Sequence, residues 1–264
     1  MLIIKIGGGQ TININYILED LSSLQEKFII IHGANYLMDE FCTKLNKPQK
    51  TLESISGFTS RYTDPETMDI FIMVYAGLAN KRIVEKCHQY NINAVGLSGL
   101  DGKLATGQRK KAIKAKINKK IKLIKDDLSG KTETINIELL KLLLNNNYTP
   151  VICPPILSED NQAINTDNDT LTSIICRDMD IKTIINLFEA PGLLKNPNDP
   201  NSLILTINKN KINNYMKYGE GRMKKKLLGA EQAIKNNVTK IILSDGRIKN
   251  PVSSALNGQG TIIQ

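Results

Sequence analysis

The chain has 264 residues, 41% hydrophobic and 23% charged, with a formal net charge of +9 and an isoelectric point near 9.2. Those fractions belong to a folded globule and argue against disorder, and no apolar run reaches the roughly 18–20 residues of a membrane helix. Four scattered cysteines and only two histidines argue against a zinc site and against Ser-His-Asp or Cys-His hydrolysis. The apolar start runs straight into glycines with no cleavable apolar region, so a soluble cytoplasmic protein with reduced, buried thiols is expected.

Residues 2–6 form an apolar strand that ends in Gly7-Gly8-Gly9, followed by an amphipathic helix over 13–26 and a second strand over 28–31 ending at His32-Gly33. Strand, glycine turn, helix, strand spells a βαβ unit with parallel strands. Asp64-Pro65-Glu66 starts a helix, with an acidic N-cap and proline in the first position, which runs to about residue 89. A strand over 94–97 leads into Ser98-Gly99-Leu100-Asp101-Gly102, and 103–135 reads as short strands and turns. A helix over 136–146 and a strand over 149–153 end at Pro154-Pro155. Beyond it lie a helix over 167–179, a strand over 181–187, a helix over 223–236, and strands over 238–243 and 261–263. Helices alternating with apolar strands imply an α/β fold with a mostly parallel sheet. The change of character at Pro154-Pro155 suggests two lobes, with no clear internal repeat.

Ligands of open parallel sheets sit beyond the carboxyl ends of the strands. Two glycine turns fall there, Lys5-Ile6-Gly7-Gly8-Gly9 and His32-Gly33-Ala34-Asn35, and Lys5 puts a charge inside a strand. Neither turn fits a dinucleotide or P-loop pattern, so each could be merely a tight connection; with Lys5 beside them, anion binding is the better reading. Asn165-Thr166-Asp167-Asn168-Asp169 opens a helix with more short polar residues than capping needs. Gly221-Arg222-Met223-Lys224-Lys225-Lys226 opens another with basic residues, unfavourable beside a helix N-terminus unless an anion binds there.

Residues 2–9, 32–35, 57–64, 96–102, 163–170 and 221–226, in this order, resemble the amino acid kinase family in its acetylglutamate kinase branch. Gly57-Phe58-Thr59-Ser60-Arg61-Tyr62-Thr63-Asp64, Ser98-Gly99-Leu100-Asp101-Gly102, Cys153-Pro154-Pro155 and Ala190-Pro191-Gly192-Leu193-Leu194 are similar to the subgroup acting on aminoadipate or glutamate attached to the carrier LysW. The resemblance implies one amino acid kinase domain over 1–264, an open three-layer αβα sandwich. Its lobe 1–155 would bind the amino acid and dimerise, and its lobe 156–264 would bind ATP. It implies ATP-dependent phosphorylation of a side-chain carboxylate to an acyl phosphate in lysine or arginine biosynthesis. Mg²⁺ would be held mainly through the nucleotide phosphates, with no metal-ligating residues of the protein.

By the same resemblance Lys5 would contact the transferring phosphoryl group, Lys226 would be the second cation on the leaving β–γ side, and Asp169 would hold the two lysines. Gly7, Gly8, Gly33 and Ala34 would form the phosphate turns, with Gly8 and Gly33 as backbone donors. Arg61 would clamp a substrate carboxylate and Asn165 would bind substrate main-chain atoms. Glu189, Gly192, Leu193 and Asp245 would lie around the nucleotide. The chemistry suits the inventory: a carboxylate is ionised at neutral pH and needs no general base, only alignment and positive charge. The chain departs from the family pattern at Ala34-Asn35, Glu189 and Arg222.

The stretch 109–125 carries nine basic residues and no acid, with Ile113, Ile117, Ile121 and Ile124 interleaved so that one face can anchor while another stays solvated. AT-rich codon bias would also enrich Lys, Asn and Ile. The functional reading is a landing surface made by Arg109, Lys110, Lys111, Lys116, Lys119 and Lys120 for a small acidic LysW-type carrier. The alternatives are an acetylglutamate kinase using the free small molecule, a non-catalytic nucleic-acid-binding protein, and a degenerate regulatory homologue. Low aromatic content and the lack of a nucleic-acid module argue against the second; neither nucleic acid nor membrane is expected as a partner, and a homodimer is.

Overall fold

Branched aliphatic runs form the centre of the molecule. The computed structural model describes residues 1–264 apart from 56, 58, 118 and 119, so Phe58 of the 57–64 motif and Lys119 of the basic stretch lie outside the described residues. Eight strands make the main sheet: β1 (Leu2–Ile6), β2 (Phe28–His32), β5 (Ala94–Ser98), β10 (Thr149–Cys153), β13 (Thr183–Phe188), β14 (Thr206–Ile207), β15 (Lys240–Asp245) and β16 (Thr261–Ile263). Their order is β14-β16-β15-β13-β1-β2-β10-β5, and every pair is parallel except β15–β16. Helices cover both faces, which is why the strands read as unbroken Ile/Leu/Val runs rather than alternating ones.

Strand periodicity decides which face each side chain serves. Leu2, Ile4 and Ile6 pack with Ile17, Leu18 and Leu21 of α1 (Ile14–Ser22), Val252 and Ala255 of α8 (Pro251–Leu256) and Ile83 and Cys87 of α4 (Asn80–Gln89). Ile3 faces the other way, into a core with Leu140 and Leu144 of α5 (Ile137–Asn145), Leu171 and Ile175 of α6 (Asn168–Met179) and Leu227 and Ala230 of α7 (Gly221–Lys235). Lys5, two residues on from Ile3, takes the α6/α7 face.

The helix expected over 64–89 is α3 (Pro65–Phe71), a π-helical run Ile72–Ala79, and α4. Asp64 caps it, accepting from the Thr67 N–H at 2.8 Å. The helical segments not anticipated include α2 (Asn35–Lys44), α8, and the 3₁₀ segment Lys209–Tyr218. On α2 only Met38 and Cys42 are buried, too narrow a stripe to read as a helix. On α8 the cap comes from far away: Asp20 of α1 accepts from the N–H groups of Val252 (2.7 Å) and Ser253 (2.8 Å).

Two four-stranded sheets fill the region 51–164. One is ordered β4 (Thr59–Arg61), β3 (Thr51–Ser54), β7 (Ile113–Ile117), β8 (Lys120–Ile124); the other β12 (Ala163–Ile164), β11 (Ile156–Leu157), β6 (Ala105–Arg109), β9 (Gly130–Ile135). The basic stretch is therefore a hairpin at a sheet edge. The expectation that its isoleucines anchor one face needs correction at Ile121, which is 62% exposed; Ile113 and Ile124 pair across the hairpin and are half-buried, and the side chain of Ile117 lies outside the described residues. All four cysteines are buried as free thiols, and among the described residues no helix is long and apolar enough to cross a membrane.

Candidate active site

Lys5 ends up at the carboxyl end of the central strand, 5% exposed, with its ammonium on the Asp169 carboxylate. Asp169 stands in the first turn of α6, where Asp167 caps the helix by accepting from the Asp169 N–H at 2.8 Å. Lys226 comes in from α7 and faces the same carboxylate, its Nζ 4.9 Å from the centre of the Phe188 ring. Helix α7 comes this close because Gly229 has no side chain: a Cβ there would lie 2.5 Å from the Cβ of Asp169. Lys5, Asp169, Thr172, Asn186 and Lys226 line one small cavity of about 10 Å³.

The charges in this cluster do not cancel. Burial pushes the Lys226 ammonium down to about 8, the neighbouring Lys5 charge pushes the same way, and Asp169 and Asp167 oppose them. Burial alone would raise the Asp169 carboxyl, but Lys5 and Lys226 outweigh it and hold it below the usual carboxylate range. Asp167, desolvated and beside Asp169, is raised. Two ammonium groups converge on the Asp169 carboxylate at the strand end, an arrangement suited to an anionic ligand.

The two glycine turns meet above this pair. Expected as a donor, Gly33 is not free to act as one: its N–H donates to Ile6 O at 2.9 Å, just as Gly7 N–H donates to Leu187 O at 2.9 Å, each extending a parallel ladder. The N–H of Gly8 has no acceptor among the described residues, and that of Ala34 has only the Tyr75 hydroxyl close by. Gly8 must be glycine, since a Cβ would lie 2.4 Å from the Asn35 nitrogen and 2.6 Å from that of Ala34. Ala34 is the N-cap of α2, so the amides converge at a helix N-terminus. The side chain of Asn35 is held by the Tyr75 hydroxyl, which donates to its Oδ1 at 2.9 Å.

Tyr75 stacks on Phe71 at 4.0 Å, and the Arg61 guanidinium lies 6.0 Å from the Phe71 ring centre. Arg61 donates through Nε to Gln49 Oε1 and lies 3.6 Å from Asp39. Gln49 was missed by sequence reasoning. Its Nε2 is buried with no partner among the described residues, a spare donor next to the guanidinium. Asn165 joins the same segment, donating from Nδ2 to Thr63 Oγ1 at 3.2 Å.

The sequence profile of the amino acid kinase family matches residues 1–245. The chain belongs to the amino acid kinase family. It is a phosphotransferase of that family with a carboxyl group as acceptor. It is 38% identical to the LysW-aminoadipate kinase of Thermus thermophilus, with 100% of both chains covered, and 37% identical to the LysW-aminoadipate kinase of Deinococcus radiodurans, covering 100% of this chain and 91% of that one. An N-acetylglutamate synthase of Neisseria gonorrhoeae shares its fold, with a TM-score of 0.79 over 99% of this chain and 58% of that one at 18% identity.

On the far side of β1 the structure rearranges what was expected around the kinase's nucleotide. Leu193 is fully buried, its N–H donating to Thr261 Oγ1 at 2.8 Å and its C=O accepting from Ile204 at 2.9 Å, and Gly192 packs against Thr261 and Leu203. Both shape a turn rather than presenting groups to a ligand. Asp245 is gripped by Arg247 through Nε (2.8 Å) and Nη2 (2.7 Å). Glu189 turns back over the first glycine turn, accepting from the Thr11 N–H at 2.9 Å and hydroxyl at 2.8 Å, bonds that hold its carboxyl below the usual range. An open cavity of about 590 Å³ nearby is lined by Lys195, Leu203, Lys211, Tyr215, Lys217 and Tyr218 among others. Its sequence signal, tyrosines interleaved with lysines just before α7, went unused.

In the kinase's basic hairpin, Arg109 is a brace rather than a surface charge. Its Nε donates to Asp127 O at 3.1 Å and its Nη2 to Lys125 O at 3.0 Å, closing the hairpin base. Lys110, Lys111, Lys116 and Lys120 are exposed, with Lys116 3.8 Å from Glu53. No group of three or more His, Cys, Asp or Glu residues fit to hold a metal occurs among the described residues.

Proposed function

We propose that this kinase phosphorylates the side-chain carboxylate of aminoadipate or glutamate while the amino acid is attached to a small acidic LysW-type carrier. The convergence of Lys5 and Lys226 on Asp169 beside the Gly8 and Ala34 amides carries the reading of the site, and the names of the 38% and 37% identical relatives support the carrier-linked substrate. ATP is the phosphoryl donor. Lys5 and the two amides stabilise charge on the transferring group, Lys226 stabilises it on the leaving side, and Asp169 keeps both ammonium groups placed and favours the charged form of Lys226. The acceptor carboxylate attacks without a general base, and Arg61 with Gln49 grips the substrate's other end.

Mg²⁺ bound to the nucleotide phosphates would neutralise developing charge. The donor set fits that role, because the described residues offer single carboxylates and not a cage. The purine end takes the cavity lined by Tyr215 and Tyr218, within the proposed nucleotide lobe 156–264. Lobe 1–155 holds the amino acid and pairs with a second copy through the Pro65–Gln89 helical rod, whose Met73 is 57% exposed. The free-substrate alternative, an acetylglutamate kinase, is not favoured by these relatives.

The test is ADP release and hydroxylamine trapping with glutamate, aminoadipate and N-acetylglutamate, each free, and with the first two on the carrier. Turnover confined to the carrier-linked forms is expected. Turnover of free N-acetylglutamate alone would overturn the proposal. Neutralising Lys110, Lys116 and Lys120 should raise KM for the carrier-linked substrate at low salt, with the effect fading as salt rises.

A further inference from the structure

His32 is the last residue of β2, fully buried, and has no part in the mechanism proposed above. Its ring lies between two fixed partners. Asn80, itself fully buried on α4, brings Nδ2 to 3.1 Å from His32 Nε2 and donates with the same nitrogen to Val151 O at 2.9 Å. The amide cannot be turned over. Its Oδ1 accepts from the Lys81 ammonium at 3.2 Å, so exchanging the two ends would set oxygen against the Val151 carbonyl and NH₂ against a cation. Nε2 of His32 must therefore be the acceptor, and the ring proton sits on Nδ1. That nitrogen is 3.4 Å from Gly33 O.

The Gly33 carbonyl and the Ala34 N–H belong to one planar trans peptide unit and point in opposite directions. A carbonyl tied back to the buried ring leaves the Ala34 N–H directed away from the ring, with the Ala34 nitrogen packed against Gly8 and the Tyr75 hydroxyl close by. The preceding peptide is secured as well, by Gly33 N–H on Ile6 O and by Asn168 Nδ2 on His32 O at 3.1 Å. We propose that His32, held as its Nδ1–H tautomer by Asn80, is a positioning residue that aims the Ala34 N–H at the transferring phosphoryl group. The Nε2–H tautomer would present a lone pair to the Gly33 carbonyl and push the peptide away. Burial, helped by the Lys81 charge and opposed by the Gly33 bond, pushes the ring down to about 4, so it stays neutral across the working range. The inference rests on reading the two turns as the phosphate cradle.

The experiment uses ¹⁵N-labelled whole protein. With only two histidines, a spectrum of the variant His88→Asn, altered at an exposed position, identifies the His32 ring signals. The wild type at pH 7 is expected to show a neutral Nδ1–H ring. An Nε2–H ring or an imidazolium would overturn the inference without touching the cradle reading. Asn80→Asp, which offers Nε2 an acceptor, should move the proton to Nε2 and lower kcat by about tenfold or more, with a smaller change in KM for the amino acid. A moved proton with unchanged kcat would also overturn it. Adding Mg²⁺ and a non-hydrolysable ATP analogue to the wild type should shift the Ala34 amide signal; no shift would bring down the cradle reading and this inference with it.

Discussion

Asp169→Asn keeps the shape of the side chain and deletes the carboxylate charge that pairs with Lys5 and that Lys226 faces. Lys226 already titrates near 8, so about 90% of it is protonated at pH 7 and about 10% at pH 9. Two unit charges about 4 Å apart interact by about 4 kcal/mol at an effective dielectric near 20. Even a third of that, lost at Lys226, moves its midpoint down by about one pH unit and leaves roughly half of it charged at pH 7. Lys5 loses its partner at the same time, and the combined deficit in kcat is expected to be about 10²–10³. The assay is kcat/KM for ATP from pH 6 to 9.5, which reports the free enzyme. Wild type should decline on an alkaline limb centred near 8, and the variant's limb should lie lower, so its shortfall narrows as the pH falls. A variant limb still centred near 8 would refute the coupling between Asp169 and Lys226.

Gly8→Ala drives a Cβ into the backbone nitrogens of Ala34 and Asn35; kcat/KM for ATP should fall by about 10² or more, and near-normal kinetics would show that the turn is not the cradle. Lys226→Met should abolish useful turnover yet stabilise the fold by about 1–4 kcal/mol at pH 7, because a surplus buried cation disappears while Lys5 and Asp169 stay paired. The sign follows from the lowered pKa: the unfolded chain binds this proton more tightly, so wild type gains stability between about 8 and 10.5, and the advantage of the variant in Tm should shrink over that window. Arg61→Lys loses the planar fork and should raise KM for the amino acid by about tenfold with little change in kcat; an unaltered KM would move the clamp elsewhere.

Strands were the most legible part of the chain, since unbroken Ile/Leu runs between glycines have few other uses in a sheet covered on both faces. Lys5, Lys226 and Asp169 were legible as candidates because charge inside a strand, bases at a helix start and more polar residues than a cap needs all oppose or exceed local preference. What could not be read was set by distant partners. Gly33 looked like a donor until the ladder to Ile6 claimed its N–H. Arg109 looked like surface charge until the carbonyls of Asp127 and Lys125 closed on it. Glu189 lies far in sequence from the Thr11 it holds, and Gly229 acquires its meaning only where α7 crosses α6.

The order of the main sheet bears on how the protein comes into being. Its first-made strand lies at the middle, with β2 on one side and β13, from the other half of the chain, on the other. A ribosome must therefore deliver most of the polypeptide before the amino-terminal segment gains its second neighbour, and must reach α7 before Lys226 exists to face Lys5. Half-finished copies carry a strand and a turn but no machine, so they cannot squander nucleotide while translation is still under way.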